Sequence, residues 1–221
     1  MIKKLEAVIF DFDGTIVDTE KTYYEVMSEL IKKHTNIELD IINYIKNVPG
    51  TSAEQCKKYI MSTYDMSEEK YSKLEKDLTS MYDRFIKSPL LPYIEDTFKL
   101  LIANNIKIGV ASNGSLEHII DGLKEHNLYN YVDDIVTKYD VENGKPAPDI
   151  YLAAAYRLGV SIENCIAVED SKPGSLAAIS AGAYLILQPN EITKYFDFSD
   201  IKFNKINCNL YEEIKKIIKE Q

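Results

Sequence analysis

Four carboxylates, Asp11, Asp13, Glu169 and Asp170, are the residues of this chain best suited to chemistry, together with Lys145 and Ser112. Asp11 and Asp13 flank Phe12 at the end of a short apolar run, residues 7–10, and Gly14-Thr15 follows at once. Residues i and i+2 of an extended strand share a face, so both aspartates can address one substrate. Gathered in one place, four carboxylates repel one another and shift their pKa values upward. A hard cation removes that conflict, and Mg²⁺ prefers a few carboxylate oxygens completed by water and a phosphate oxygen. Lys145 adds a compact positive charge, while Ser112 and the backbone N–H groups of Asn113 and Gly114 add neutral donors. Such a set opposes the charge of a phosphoryl group, the stabilisation that dominates phosphoryl transfer. A carboxylate nucleophile splits ester hydrolysis into two steps through an aspartyl-phosphate, and a second carboxyl group can protonate the leaving oxygen and later deprotonate water.

Each piece alone has a plainer meaning. Asp-Phe-Asp-Gly-Thr can be a solvated turn, Ser112-Asn113-Gly114 a helix cap, Lys145 a surface lysine, and Glu169-Asp170 an acidic pair leading a helix. The functional reading rests on the set and therefore on the elements that bring it together. Residues 7–10, 106–111, 135–137, 165–168 and 183–187 read as short buried strands. Between and after them, residues 94–102, 116–123, 150–158, 176–181 and 210–218 carry helix-spaced apolar faces. Alternating strands and helices predict a parallel, Rossmann-like α/β sheet covered on both faces, with ligands at the carboxyl ends of its strands. The chemistry-bearing segments fall at those ends. Residues 17–88 differ: they are charged and helical, with Tyr23, Val26, Met27, Leu30 and Ile31 on one face, a break at Pro49-Gly50, and closure at Ser88-Pro89 and Pro92. The expected organisation is a core of residues 1–16 and 90–221 with an all-helical cap of residues 17–89 inserted after the first strand.

The composition, 45% apolar and 28% charged over 221 residues, is globular, and the length suffices for a core without disulfides. A net charge of −9 argues against nucleic acid or an anionic lipid surface as partner and requires a local cation at any phosphate site. Cys56, Cys165 and Cys208 have no metal-ligand spacing and read as small buried hydrophobes in a reducing compartment. No apolar run approaches membrane-spanning length, and Asp11 and Asp13 interrupt the N-terminal one, so a cytoplasmic protein without a signal peptide is expected. The sequence leaves the oligomeric state open, with a monomer compatible. His34, His118 and His126 read as structural, the latter two lying on or just after a helix with no carboxylate or cysteine cluster in the sequence. Among the sixteen tyrosines, Tyr23 and Tyr24 stand out as candidate cap contacts to substrate.

Asp11-Phe12-Asp13-Gly14-Thr15, Ser112-Asn113, Lys145 within Gly144-Lys145-Pro146-Ala147-Pro148-Asp149, and Glu169-Asp170-Ser171 occur in an order that resembles the haloacid dehalogenase superfamily, in its helical-cap subgroup. The resemblance spans nearly the whole chain. It implies Asp11 as nucleophile, Asp13 as general acid/base, and Ser112 and Lys145 as phosphate holders. It also implies Mg²⁺ bound by the Asp11 side chain, the Asp13 backbone carbonyl and Asp170, with Glu169 binding directly or through water, and a mobile cap that selects a small phosphate ester, sugar and sugar-acid phosphates first. Dehalogenases of the superfamily lack an aspartate at the place of Asp13, and the surroundings of Lys46 do not look like those of the phosphonate hydrolases' cap lysine. The sugar-phosphate mutase branch, of the beta-phosphoglucomutase type, shares the core motifs but carries a histidine near Tyr23 and an arginine near Ala53, which grips a second phosphate. Those residues favour a phosphatase, with specificity expected near Val48-Pro49-Gly50-Thr51-Ser52.

Overall fold

The computed structural model of the chain describes residues 2, 4–49, 53–207 and 209–221. Among them, six strands form one parallel sheet: β1 (Ala7–Phe10), β2 (Lys107–Ser112), β3 (Asp134–Thr137), β4 (Cys165–Glu169), β5 (Tyr184–Leu187) and β6 (Lys205–Ile206), in the spatial order β3-β2-β1-β4-β5-β6. All four residues of β1 are buried, as a central parallel strand covered on both faces requires. Phe10 lies in register with Val110 of β2 and Val168 of β4, so three strands end side by side at the same level.

Helices cover both faces. Packed on one side are α6 (Ile94–Ala103), α7 (Leu116–Glu125) and α10 (Leu210–Lys219), around a cluster that includes Phe10, Phe12, Phe98, Leu123 and Ile214. On the other lie α8 (Asp149–Leu158) and α9 (Lys172–Ala181), around Ile9, Tyr151, Ala154, Leu158, Ala178 and Leu185. Fully burying a side chain of the size of Leu or Phe contributes about 1.5–3 kcal/mol, so these two layers are what fixes the strand ends in place. The predicted elements are all present, with two differences. The helix expected over 176–181 begins four residues earlier, at Lys172, because Ser171 caps it by accepting from the Gly174 N–H (3.1 Å) and Pro173 fits the first turn. β6 was not expected: two residues on a sheet edge carry too little pattern to register as a strand.

Between β1 and α6 the described residues form five helices: α1 (Thr19–Thr35), α2 (Ile41–Asn47), α3 (Ala53–Thr63), α4 (Glu68–Ser80) and α5 (Tyr82–Ile86). They enclose their own apolar cluster of Val26, Met27, Leu30, Ile31, Tyr44, Ile60 and Leu74. Outgoing and returning chains run together at the exit: Val17 bridges Leu90, the Asp18 N–H donates to the Pro89 carbonyl (2.8 Å), and the Leu91 N–H donates to the Ile16 carbonyl (2.9 Å). Ile192, after β5, is buried in the helical cluster, so a loop of the α/β core touches the insertion as well. No helix among the described residues is long and apolar enough to cross a membrane. Cys56 and Cys165 are buried free thiols, as expected, and Cys208 lies outside the described residues.

Candidate active site

Asp11 is the first residue after β1, and its N–H still donates to the carbonyl of Val168 (2.9 Å). That bond anchors the backbone at the strand end and leaves the carboxylate to project beyond the sheet. Gly14 then turns the chain at φ +79°, and a side chain there would collide with the Asp170 carboxylate. Asp170 is buried at the end of β4, where Oδ2 accepts from Asn190 Nδ2 (2.8 Å) and Oδ1 from Thr15 Oγ1 (3.3 Å). Asn190 Nδ2 also donates to the Gly14 carbonyl (3.0 Å), tying the first and fourth strand ends together.

Lys145 supplies the one ammonium held among these carboxylates in the described structure. Its side chain is 4% exposed and its Nζ pairs with Asp11 and, at 2.6 Å, with Glu169. Glu169 is itself fully buried: Oε1 also accepts from Tyr151 Oη (2.8 Å), and Oε2 from the Ser171 hydroxyl (2.9 Å) and N–H (3.3 Å). Gly174 leaves room for this carboxylate, which any Cβ at that position would overlap. The Asn113 side chain grips the Lys145 backbone from both sides, accepting from its N–H (3.1 Å) and donating to its carbonyl (3.4 Å). Ser112 Oγ accepts from the Gly114 N–H (3.0 Å). Asp11, Asp13, Ser112, Asn113, Gly114, Lys145 and Asp170 all border one cavity of about 720 Å³, while Glu169 lies beneath its floor. Lys46 of α2 borders the same cavity.

The electrostatics explain what is missing from the charge balance. Burial raises the pKa of Asp11; Lys145 opposes that rise and Glu169 adds to it. Burial likewise lifts Asp170 well above the usual carboxylate range, with Asp11 and Glu169 adding to it. Burial alone would pull the Lys145 ammonium down, but the two carboxylates beside it outweigh burial and raise it. One lysine thus faces three buried carboxylates. Asp11, Glu169 and Asp170 each offer an oxygen within 4.8 Å of the others, a hard-oxygen set of the kind that suits a divalent cation such as Mg²⁺. The donor chemistry and the uncompensated charge both fit.

His118 departs from the sequence reading. It has a carboxylate partner after all: its Nε2 lies 2.9 Å from Asp13 Oδ1, across 105 residues of chain. Its ring stands edge-on to Phe12 (5.4 Å) and reaches Tyr82 of the insertion (6.2 Å). Burial lowers its pKa, but the Asp13 hydrogen bond and the charges of Asp13 and Asp121 together outweigh burial and leave it raised. Spacing along the chain could not show this contact, because α7 and the β1 turn meet only through the sheet. His34 likewise reaches a carboxylate, Asp77 (2.8 Å), while His126 meets the Ser88 carbonyl (2.8 Å). Glu20, in the first turn of α1, was also overlooked. It borders the 720 Å³ cavity and a second one of about 310 Å³ next to it. Burial, with Asp13 and Asp18 nearby, raises its pKa to about 7. Tyr23 borders the smaller cavity, whereas Tyr24 stands edge-on to Tyr44 (5.2 Å). Of the expected specificity segment, Val48 and Pro49 border the smaller cavity and residues 50–52 lie outside the described residues.

Fold and site together define a phosphoric monoester hydrolase with a helical insertion over its strand ends. The chain belongs to the haloacid dehalogenase-like hydrolases, whose family model matches residues 5–182. It is similar to "Putative phosphatase YhcW" of Bacillus subtilis, 36% identical with 89% of each chain covered. It is also similar to the beta-phosphoglucomutase of Bacillus subtilis, 32% identical with 82% of each covered. In three dimensions it resembles a HAD family hydrolase from Deinococcus radiodurans crystallised with phosphate and sodium, with a TM-score of 0.81, 21% identity, and 98% and 96% of the two chains covered.

Proposed function

We propose that the chain is a Mg²⁺-dependent phosphatase that hydrolyses the phosphate ester of a small metabolite, a sugar or related phosphate, through an aspartyl-phosphate on Asp11. The observation that carries this is the Asp11 carboxylate itself: buried, paired with Lys145, and facing a cavity whose other walls are Asp13, Ser112 and Asp170. In this reading Asp11 Oδ attacks phosphorus and the bond to the leaving oxygen breaks, with Asp13 giving that oxygen its proton. Asp13 then takes a proton from a water that attacks the same phosphorus, and the bond to Asp11 breaks. Ser112 and Lys145 hold the phosphoryl oxygens, with Asn113 and Gly114 shaping the loop that presents them. Asp11, the Asp13 carbonyl, Asp170 and Glu169 would hold the metal, which supplies positive charge against the phosphoryl group when bound. The hydrogen bonds already taken up by Glu169 suit it to orienting Lys145 as well.

Residues 17–89 act as the cap and residues 1–16 with 90–221 as the core, and the bridged segments at Val17 and Leu90 are suited to serve as the hinge. The buried free thiols agree with a reducing cytoplasm. The test is phosphate release, with and without Mg²⁺, across phosphorylated sugars, polyols, sugar acids, nucleotides and amino acids. Metal-dependent release concentrated on one class supports the reading, and no release from any ester overturns it. The 32% identical mutase favours a second reading, intramolecular transfer. A mutase needs a bisphosphate primer and frees little phosphate, so adding glucose 1,6-bisphosphate to a hexose phosphate separates the two.

A further inference from the structure

Asn190 lies in the loop after β5, 20 residues along the chain from the carboxylate it touches, and takes no part in the chemistry proposed for the site. The residue is 6% exposed, and the hydrogen-bonding capacity of its amide is filled at both ends. Nδ2 donates to Asp170 Oδ2 (2.8 Å) and to the Gly14 carbonyl (3.0 Å). Oδ1 accepts from the N–H groups of Ile192 (2.9 Å) and Thr193 (3.0 Å), and the Asn190 N–H donates to Thr193 Oγ1 (2.9 Å). Acceptors meet only the nitrogen and donors only the oxygen, so this network admits one orientation of the amide. Gly14 keeps open the space where the contact forms: a Cβ there would collide with the Asp170 carboxylate and come within 2.9 Å of Asn190 Nδ2.

Both hydrogen-bond donors described for Asp170 are neutral: Asn190, and Thr15 at the longer distance of 3.3 Å. Asp11 and Glu169 differ, since each pairs with the Lys145 ammonium. A neutral donor fixes the direction of a buried carboxylate without cancelling its charge, whereas a second ammonium would repel a bound cation. We propose that Asn190 is a positioning residue of the metal centre: its amide holds Asp170 in the direction a divalent cation needs, leaves that carboxylate's charge to the cation, and through the fixed turn of residues 190–193 favours a small ion such as Mg²⁺ over Ca²⁺. The inference rests on the reading of Asp170 as a metal ligand. Hydrogen bonds to a ligating group are worth about 10–100-fold in metal affinity. Mg²⁺ demands near-ideal octahedral geometry and Ca²⁺ accepts looser sets of oxygens, so a ligand held rigidly selects the smaller ion. The turn also has a packing role that can be separated from this one, because Ile192 is buried in the apolar cluster of the insertion.

Mn²⁺ binding to the metal-free protein, followed by loss of the free-ion signal in electron paramagnetic resonance, tests the assignment without turnover, and competition then gives the Mg²⁺ and Ca²⁺ constants. In Asn190→Ser the hydroxyl can still accept from the N–H groups of the turn, but the nitrogen that reaches Asp170 is gone. This variant should bind Mn²⁺ about 10-fold more weakly, and its preference for Mg²⁺ over Ca²⁺ should fall at least ~3-fold. Asn190→Thr offers the same hydroxyl and carries the same expectation should Asn190→Ser not fold. Ile192→Ala keeps the amide and loses only packing, so it should lower the thermal midpoint and leave both metal readings within about 2-fold of the parent. Unchanged affinity and selectivity in the folded Asn190 variant overturn the proposal. An equal loss of affinity in Ile192→Ala also overturns it, since general loosening of the loop would then account for the effect. Failure of the unaltered protein to bind Mn²⁺ sinks the metal reading and this assignment with it.

Discussion

The two cavities that meet at Asp13 are built on opposite principles. On the core side the charged groups at the strand ends are engaged with one another: Lys145 pairs with Asp11 and Glu169, Glu169 takes four hydrogen bonds, and Asn190 holds Asp170. Among the described residues of the insertion, three buried hydroxyls, those of Thr19, Tyr44 and Tyr59, have no partner. A site that must meet the same phosphoryl group in every turnover gains from being pre-organised, because rearranging charges at the moment of reaction costs rate. In the proposed function the core side therefore holds the chemistry, and the insertion, built around its own apolar cluster, covers it.

The sharpest way to break this contrast is at Asp11. Asp11→Asn should reduce phosphate release by at least ~10³-fold while unfolding by urea shifts by no more than about 1 kcal/mol, because it removes a nucleophile and a carboxylate whose ionised form burial already disfavours. Near-normal turnover in that variant would refute the nucleophile assignment. Lys145→Ala should behave differently. It strands Asp11 and Glu169 as buried carboxylates without their cation, so alongside a ~10²-fold or greater loss of activity it should cost about 3–5 kcal/mol of stability in metal-free protein. Added Mg²⁺ should recover part of that stability, which thermal unfolding with and without the ion measures. A variant as stable as the parent would show that the lysine does not compensate this charge.

The same contrast decides what the sequence could disclose. Asp11, Ser112 and Asp170 could be placed together from the sequence because each sits at or beside a strand end, and strands such as Ala7–Phe10 and Cys165–Glu169 announce themselves by short apolar runs, while Lys145 stands in the loop just ahead of α8. Topology then brings those ends together without further information. Glu169 was legible as a carboxylate but not as a partner of Lys145, since its other partners, Tyr151 and Ser171, lie within α8 and at the cap of α9. His118 and Asn190 were missed because their contacts, with Asp13 and Asp170, cross from one strand end to another with no mark in spacing. Thr19, Glu20 and Tyr44 were missed for a different reason. Helical periodicity shows which faces are apolar, but not which polar atom inside an apolar cluster lacks a partner.

Tyr44→Phe sharpens the contrast from the insertion side. The change keeps the ring within its cluster and deletes an unsatisfied hydroxyl, so ligand-free protein should gain about 1 kcal/mol of stability. Gain of stability on losing a buried polar atom is the opposite of what an ordinary packing residue gives. A loss of stability in urea titration would show that the hydroxyl has a partner in solution.

The smallest effect concerns a carboxylate that the site does not use. Asp140, just beyond β3, has its pKa lowered to about 2 by the Arg157 guanidinium (2.8 Å) and by the Thr137 N–H and hydroxyl (2.8 and 2.7 Å). Asp11 and Asp170 are shifted the other way, by burial. A carboxylate whose pKa falls on folding stabilises the protein fully above its unfolded value, about 3.9, and loses that contribution as pH drops towards 2. Arg157 and Asp140 are each about a third exposed, at 37% and 30%, so solvent screening reduces the effect to about 1 kcal/mol or less. Between pH 5 and pH 2 the parent should therefore lose slightly more stability than Asp140→Asn, with the two curves converging at the acid end. Parallel curves over that range would mean that Asp140 gains nothing from Arg157, and that the opposite shifts of edge and site carboxylates do not translate into opposite roles in stability.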